Sequence, residues 1–394
     1  MAVEIDYPGV YVEEISTGIH PIEGVSTSTA AFVGRARRGP LDSPVHVHTY
    51  GDFVQTFGSG SSPSTLEHAV RLFFENGGSD ALIVRVGASR GGAITDNAIS
   101  APRLEAEKRG LWALDKAKCV NLLCIPPLAD GKDIGPQTRA AAIRYCEKRG
   151  ALFIADPGVA WQSARQAIAG LNAAFPTRSP HVALFFPFLQ SADPASAGKT
   201  MTVAPCGAVA GVMARTDAQR GVWRPAAGTE ATLKGVSGLA LKLSDSQNGE
   251  LNALGVNGLR SFGRSAPVVW GARTLAGADQ AASEWKYIPV RRLAFFVEAS
   301  IQRGIRWAAF EPNAEPTWAK IRLNVGAFMD RLFRSGAFQG RTAREAYFVK
   351  CDAATTSQSD IDAGLANVVV GFAPLKPAEF VIITIRQLFE KKKP

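Results

Sequence analysis

Both ends of the chain have the pattern of short β-strands, and neither end has enough neighbouring sequence to complete a sheet of its own. Residues 7–15 alternate apolar and polar side chains, and residues 379–388 are apolar on both faces over several positions. A strand with unpaired N–H and C=O groups recruits another strand, and an extended segment can add to a neighbour's sheet. The pattern predicts a polymer subunit. The alternative is that both strands fold back into the chain's own core.

The predicted inter-subunit strands set the expected domain boundaries. They comprise Val10, Tyr11, Val12, Glu13, Glu14 and Ile15 at one end, and Phe380, Val381, Ile382, Ile383, Thr384 and Ile385 at the other. From them we predict an N-terminal linking arm at 1–22, an outer α/β domain at 23–285 with a linker-like excursion at 88–110, an inner α+β domain at 286–378, and a C-terminal linking strand with a basic tail at 379–394.

The order of secondary-structure patterns indicates two fold classes in one chain. Between residues 120 and 186, short apolar strands alternate with helical stretches, which is typical of a parallel sheet with crossover helices. The final third instead has two amphipathic helical patterns, the second opening at Pro316, followed by strands. The expected fold class is therefore α/β plus α+β.

The composition limits where such a chain can work. Of its 394 residues, 46% are hydrophobic and 20% are charged, which is typical of a soluble globular protein. No stretch approaches the roughly 20 apolar residues that a membrane span needs, and the start lacks the basic and apolar regions of a signal peptide. We expect synthesis and folding in the cytoplasm, with no membrane partner.

The positive charge is concentrated in one part of the chain. The net charge is +9, and the segment from Lys286 to Lys350 has twelve basic residues against five acidic ones. Such a field indicates an anionic partner, which could be a nucleic acid, a lipid or an acidic protein.

Motifs for catalysis or metal binding are weak. The five cysteines form no C-x-x-C pair, and His46 and His48 have no third ligand nearby in sequence. The segment 197–200 resembles the end of a P-loop, but Asp193 and Pro194 stand where glycine amides would have to wrap a phosphate. We therefore expect no metal, disulfide or cofactor and no enzyme activity. A basic nucleic-acid-binding protein and an α/β enzyme are the alternatives.

Two long blocks resemble the tail sheath proteins of contractile phage tails and related injection particles. The first runs from Pro8-Gly9-Val10-Tyr11-Val12-Glu13-Glu14 through 21–28 to 31–40. The second contains Tyr287-Ile288-Pro289-Val290-Arg291-Arg292-Leu293 and continues through 298–301 and 307–313 to 338–340. The resemblance covers roughly residues 7–90 and 285–390, whereas the middle is similar only in its α/β character.

The resemblance implies a structural role. Subunits would form stacked six-fold rings around an inner tube, with an inner domain built from both chain ends facing the tube and an outer domain inserted between them. The implied partners are other copies of the chain, a tube protein with an acidic outer surface, the baseplate and tail terminator proteins, with no direct nucleic-acid contact. The implied setting is a virion tail or released injection particle, assembled in the bacterial cytoplasm. The basic residues expected to face the tube are Arg291, Arg292, Arg303, Arg306, Lys320, Arg322, Arg331 and Arg334.

Overall fold

The computed structural model describes residues 20–60, 64–87, 94–192, 199–263, 265–375 and 381–388. The strands are β1 Ala30–Gly34, β2 Val45–Val47, β3 Ala81–Arg85, β4 Leu122–Cys124, β5 Leu152–Ala155, β6 Val182–Phe186, β7 Leu189–Ala192, β8 Thr200–Val203, β9 Gly238–Leu239, β10 Val256–Arg260, β11 Val268–Trp270, β12 Tyr347–Lys350, β13 Leu365–Phe372 and β14 Val381–Leu388. They form one eight-stranded sheet and two three-stranded sheets.

Helices cover and connect these sheets. They are α1 Tyr50–Phe57, α2 Thr65–Glu75, α3 Asp96–Ser100, α4 Arg103–Glu107, α5 Pro136–Arg149, α6 Ala164–Ala174, α7 Cys206–Arg220, α8 Asp245–Ala253, α9 Ile288–Gly304, α10 Glu315–Arg334, α11 Ala343–Ala346 and α12 Gln358–Asp362. Short 3-10 helices span Gly110–Lys116, Leu275–Gly277, Asp279–Ala281 and Arg306–Phe310. The expected mixture of α/β elements is confirmed.

The eight-stranded sheet is the larger unit of the molecule. Its order is β11-β10-β6-β5-β4-β1-β3-β2, and the six strands from β10 to β3 run parallel. Every residue of β1, β4, β5 and β6 is buried, because helices cover both faces of the sheet. The sheet thus lies between two hydrophobic cores, one on each face. The short antiparallel strands β2 and β11 close its two edges.

Capping residues fix where the first helices begin. The Thr49 side chain accepts a hydrogen bond from the Asp52 N–H, while the Asp52 carboxylate accepts one from the Thr49 N–H, which makes a capping box at α1. The Ser64 hydroxyl caps α2 by accepting from the Glu67 N–H. These side-chain caps explain why α1 and α2 begin where they do.

The segment expected to be a linker-like excursion is mostly folded. Residues 88–93 lie outside the described residues, but the stretch from 94 to 110 forms α3 and α4 and begins a 3-10 helix. Ile94, Ile99 and Leu104 are buried in the core of the large sheet. The prediction was therefore wrong for 94–110, because three well-spaced apolar side chains anchor a segment that is otherwise polar.

The C-terminal part forms a second unit with its own core. The helices α9 and α10, each with proline in the first turn, pack on the antiparallel sheet β12-β13-β14. The helix α9 ends at Gly304, where an added Cβ would come within 2.6 Å of the Ile22 side chain. The start of the described chain therefore packs against the end of α9. No helix in the described part of the chain is long and apolar enough to cross a bilayer.

Candidate functional site

The predicted C-terminal linking strand pairs within its own chain. β14 runs antiparallel to β13 over eight residue pairs, from Leu365 opposite Leu388 to Phe372 opposite Val381. The Ile385 side chain is buried in the core of the C-terminal unit, whereas Thr384 is exposed. In the described chain this strand is thus not donated outward, because β13 offers it a complete antiparallel ladder. Phe380 lies outside the described residues.

Two edges of this small sheet remain open. β13 is the central strand, so β12 and β14 each pair with one strand only within the described residues. Lys350 on β12 and Arg386 on β14 are exposed. A charged, exposed edge is a common protection against unwanted strand pairing, and it is also where another strand could add.

The predicted N-terminal strand, Val10 to Ile15, lies outside the described residues, but the chain that follows it is firmly held. The His20 N–H donates to Asn324 Oδ1 at 2.9 Å, and the His20 ring stacks on Trp307 with centroids 4.6 Å apart. Ile22 is buried in the core of the C-terminal unit, and the Arg331 guanidinium donates to its carbonyl oxygen. The described beginning of the chain therefore packs on the same unit as β14.

The eight basic residues expected to face a tube do not form one surface. Arg292 is buried, and Arg291 is half-buried between the rings of Trp285 and Phe295, each 4.3 Å from its guanidinium carbon. The expectation was wrong for Arg292, because its side chain points into a contact between the two units. It also fails to anticipate that Arg291 is largely enclosed by aromatic rings.

The other basic residues divide into paired and unpaired groups. Arg322 donates to Glu315 Oε1 at 2.5 Å and to the Cys351 carbonyl, and Arg334 contacts Asp330 Oδ2 at 2.7 Å. Arg303, Arg306 and Lys320 are exposed. They make no ion pair with a residue that the structure describes.

The buried arginine forms a three-part contact that joins the two units. Arg292 donates to both carboxylate oxygens of Asp217 on α7, at 2.9 and 2.6 Å, and to the Thr27 carbonyl at 2.8 Å. The Thr27 hydroxyl in turn donates to Asp217 Oδ2 at 2.7 Å. The two charged side chains are 5% and 4% exposed. Such a bidentate, hydrogen-bonded pair fixes a geometry more than it adds net stability.

A second polar contact crosses the same junction. His181 Nδ1 lies 3.0 Å from the Ala151 carbonyl, and its Nε2 lies 2.7 Å from an Arg291 Nη. The ring therefore donates through Nδ1 and accepts at Nε2, which is the neutral form. Burial, together with the neighbouring Arg291 charge, lowers the pKa of His181. Arg291 thus holds the C-terminal unit against the large sheet.

Beside this junction lies a groove of about 880 Å³, here called the basic groove. It runs between the chain preceding β4, the end of α5 and the outer face of α9. Its basic lining residues are Lys118, Lys148, Arg149, Arg292, Arg303 and Arg306. Sequence reasoning missed Lys118, Lys148 and Arg149, because they are distant in sequence from the basic segment at 286–350 and only the fold brings them beside it.

The described residues offer no evident metal centre. Asp80 Oδ1 lies 3.2 Å from His46 Nδ1 and 3.7 Å from His48 Nδ1, but no group of three potential ligands among these residues is placed to hold an ion. All five cysteines are free thiols. Thr200 begins a strand rather than the helix that a P-loop requires.

The chain is similar in sequence and in structure to proteins of contractile sheaths. Residues 280–387 match the model of the phage tail sheath C-terminal domain. The chain is 28% identical to the PVC sheath complex, an extracellular contractile injection system in its contracted state, with a TM-score of 0.73 over 97% of this chain and 98% of that one. It is also 28% identical to a chain of the six-fold symmetrised baseplate of the anti-feeding prophage (AFP), with a TM-score of 0.71 over 98% of this chain and 99% of that one.

A curated relative gives the same assignment. The tail sheath protein of the Vibrio phage KVP40 is 28% identical over 176 residues, which are 44% of this chain and 24% of that protein. The matched segment thus spans about a quarter of the length of that relative. The C-terminal part of the chain is thus similar in sequence to phage tail sheath proteins, and almost the whole chain is similar in structure to contractile sheath proteins, which are structural proteins and not enzymes.

Proposed function

We propose that this protein is the sheath subunit of a contractile particle, polymerising as stacked six-fold rings around an inner tube and contracting to drive that tube through a target envelope. The observation that carries the proposal is the similarity to a contracted sheath complex over almost the whole of both chains. The six-fold symmetry of the similar baseplate assembly supports the ring symmetry.

In this proposal the C-terminal unit is the inner domain and the large α/β unit is the outer domain. The described start of the chain and β14 both pack on the C-terminal unit, which supports an inner domain built from both chain ends. The large unit then forms an insertion between them. The domain boundaries predicted at residues 22, 285 and 378 follow this division.

The inter-subunit links are the two terminal segments, residues 10–15 and 380–385. A strand that pairs with β13 in its own chain can pair with the β13 of a neighbour in the same register, which is domain swapping. The same hydrogen bonds between β13 and β14 form before and after the exchange, so the exchange has a small free-energy cost. The link also survives a change in how the subunits pack. Interfaces with two discrete packings then allow contraction to spread from ring to ring.

The tube-facing surface is the exposed side of α10. Lys320, Arg331 and Arg334 are exposed there, around Leu323, which is 55% exposed. A basic face with an apolar centre fits an acidic tube surface. Each exposed ion pair contributes only about 0–1 kcal/mol, so many such contacts together hold the tube and each breaks readily. The baseplate and the tail terminator are the partners at the two ends of the polymer, assembled in the bacterial cytoplasm.

A reversible lock on β14 tests the strand exchange directly. Val369 on β13 lies opposite Thr384 on β14, and both side chains are at least partly exposed. In the double variant Val369→Cys/Thr384→Cys, a disulfide would hold β14 in its own chain without removing any sequence. We expect the wild type to form tubes in negative-stain micrographs, and the oxidised variant to form none until a reductant is added.

The matched control locks the opposite side of the same central strand. Lys350 on β12 also faces Val369, so Lys350→Cys/Val369→Cys adds a disulfide that leaves β14 free to exchange. This control should form tubes when oxidised. Tubes from the oxidised β13–β14 variant would contradict strand exchange, and a wild type that forms no tubes or rings would contradict the sheath function itself.

A further inference from the structure

The basic groove is lined by cations from both units of the molecule and by no described acidic residue. One of its six cations, Arg292, is already neutralised by Asp217. The other five are Lys118, Lys148, Arg149, Arg303 and Arg306. The first three belong to the large unit and the last two to the C-terminal unit. A cleft lined by charges of one sign concentrates ions of the opposite sign, so the groove favours an anion.

These five cations are not compensated within the described part of the chain. Arg149 donates to the Ala117 carbonyl at 2.8 Å, which orients its guanidinium but leaves its charge unpaired. The other four are exposed and form no ion pair with a described residue. Like charges around one cavity repel one another, and a bound anion offsets this repulsion across the junction of the two units.

Four of the cations lie at the ends of helices. Lys148 and Arg149 are in the last turn of α5. Arg303 is in the last turn of α9, and Arg306 begins the 3-10 helix that follows it. The helix dipole favours a cation at each C-terminus, but it does not account for two helix ends that line one cavity, nor for Lys118 from the chain before β4. The shared cavity therefore points to a ligand rather than to helix stabilisation alone.

The size and the chemistry of the groove favour a small polyanion. Its volume of about 880 Å³ lies within the range of small-ligand sites, about 300–1,000 Å³, and such sites often lie between domains. Guanidinium groups bind phosphate oxygens through two parallel hydrogen bonds, and lysine ammonium groups add point charges. A short chain of phosphates has its charges close together, so it can contact cations of both units at once.

The aromatic rings of the groove are already engaged and do not favour a nucleobase as the main contact. Phe295 lies 4.3 Å from the Arg291 guanidinium carbon, and its ring centroid is 4.8 Å from that of His181. The Phe296 ring lies beside Phe328, with centroids 6.0 Å apart. Single-stranded nucleic acids bind through bases that stack on free rings, so this lining favours phosphates over bases.

We propose that the basic groove is a binding site for a compact polyphosphate anion, either a free polyphosphate or the phosphate chain of a nucleoside triphosphate. The bound anion contacts Lys118, Lys148 and Arg149 on the large unit and Arg303 and Arg306 on the C-terminal unit, which ties the two units together. The ligand is bound and not transformed. This inference concerns a single chain, so it does not depend on the proposed function.

Isothermal titration calorimetry of sodium tripolyphosphate into the dispersed, full-length chain measures the binding. We expect one site per chain and an affinity that falls as sodium chloride is added, because exposed charges are screened. Orthophosphate should bind at least about tenfold more weakly, because a single phosphate cannot contact the cations of both units. If tripolyphosphate shows no saturable binding at low salt, the proposal is wrong.

Two further ligands identify the source of the phosphates. An affinity for ATP within about fivefold of that for tripolyphosphate would assign the site to the phosphate chain itself, whereas a larger gain would assign it to a nucleoside triphosphate. Adenosine that displaces tripolyphosphate at equal concentration would overturn the proposal. A DNA duplex that displaces tripolyphosphate at equal phosphate concentration would make the groove a nucleic-acid site and would also overturn it.

A neutralised groove locates the binding site. The groove variant has Lys148→Gln, Arg303→Gln and Arg306→Gln, which change exposed side chains and leave the pair of Arg292 and Asp217 intact. It should bind tripolyphosphate at least about tenfold more weakly than the wild type. Equal affinity of the wild type and this variant would overturn the assignment of the site.

Thermal unfolding of the same two proteins gives a second measurement. A ligand that binds only the folded state stabilises it, so saturating tripolyphosphate should raise the Tm of the wild type by at least about 2 °C and leave that of the groove variant almost unchanged. Without ligand, the variant should unfold at the same temperature as the wild type or higher, because repulsion in the groove is reduced. An equal rise of Tm in both proteins would contradict a ligand bound between the two units.

The matched control removes the same number of exposed charges elsewhere. Arg165, Lys234 and Lys242 are exposed and do not line the groove. Their triple replacement by glutamine changes the net charge as much as the groove variant does, so long-range attraction is equally reduced. The control should keep its affinity for tripolyphosphate within about twofold of the wild type. A loss as large as that of the groove variant would mean that the anion responds to net charge and not to this groove.

Discussion

The two sheets of this protein differ in how their strands are protected. In the large sheet, four central strands are wholly buried and both edges are closed by short antiparallel strands. In the C-terminal unit, β12 and β14 are the edge strands of a three-stranded sheet, and each pairs with one strand only among the residues that the structure describes. The first arrangement gives a rigid body, and the second gives a place where strands can be exchanged. In the proposed polymer, we therefore expect strand exchange in the smaller unit and not in the large sheet.

The largest expected effect concerns the contact between the two regions. Replacing Arg292 with methionine leaves Asp217 buried without its partner, so the free energy of unfolding should fall by about 3–5 kcal/mol. The double variant Arg292→Met/Asp217→Leu should recover at least half of that loss, because both desolvated charges are gone. Urea unfolding followed by tryptophan fluorescence measures both values.

Arg303→Met is the matched control, since Arg303 is exposed on the same helix. Its effect should be within about 0.5 kcal/mol of the wild type. If Arg292→Met is as mild as this control, the ion pair does not couple the two regions.

A smaller difference is expected in amide hydrogen exchange. In the dispersed protein, the amides of β5 should exchange at least about 100-fold more slowly than those of β14, because β5 is buried in the parallel sheet and β14 is an edge strand that can open locally. Mass spectrometry of peptic fragments measures the two rates. In assembled tubes the protection of β14 should rise. Equal protection of the two strands before assembly would contradict the proposed difference in stability between the two sheets.

The smallest expected effect is on the pH dependence of stability, and it comes from a buried carboxyl of the large unit. Asp156 follows β5, and its Oδ1 accepts from the Cys206 N–H at 2.8 Å, while its buried Oδ2 has no hydrogen-bond partner among the described residues. Burial raises the pKa of Asp156 to about 7. Since the unfolded carboxyl titrates near pH 4, the unfolded state binds fewer protons between pH 4 and 7, and this group lowers stability as the pH rises through that window.

Asp156→Asn removes that titration and keeps the carbonyl oxygen that accepts from Cys206. At pH 8 the variant should be more stable than the wild type by about 1–2 kcal/mol, and at pH 4 the two should be nearly equal. Urea unfolding at the two pH values measures the difference. If the stability of the variant differs from that of the wild type by the same amount at both pH values, burial in the large unit does not raise the pKa of this carboxyl.

The sequence predicts the fold well where local periodicity decides it. The helices α1, α2, α5, α9 and α10 and the strands between residues 120 and 186 follow from apolar spacing, caps and glycines. Local pattern could not show that Arg292 is internal, since an arginine among other arginines on an amphipathic helix looks exposed. Its burial depends on Asp217, 75 residues away in sequence.

Local sequence patterns also predict only part of the candidate surfaces. The basic segment at 286–350 is evident from composition, but the basic groove also needs Lys118, Lys148 and Arg149. The chain before β4 and the last turn of α5 place these residues beside α9. Likewise, an apolar stretch at the end of the chain indicates a strand, but nothing in it specifies whether the strand pairs with its own β13 or with another. Only long-range packing decides such questions.

If β14 is exchanged between subunits as proposed, its pairing with its own β13 in the free chain has a consequence for when growth can start. A free subunit that fills its own acceptor position offers no vacancy, so two such subunits meeting in solution must both open before either can join. This makes spontaneous nucleation slow. Elongation from an existing ring, whose terminal acceptors are already vacant, would need only the incoming subunit to open. Newly made subunits can therefore accumulate in a dormant state until a preformed template starts the filament.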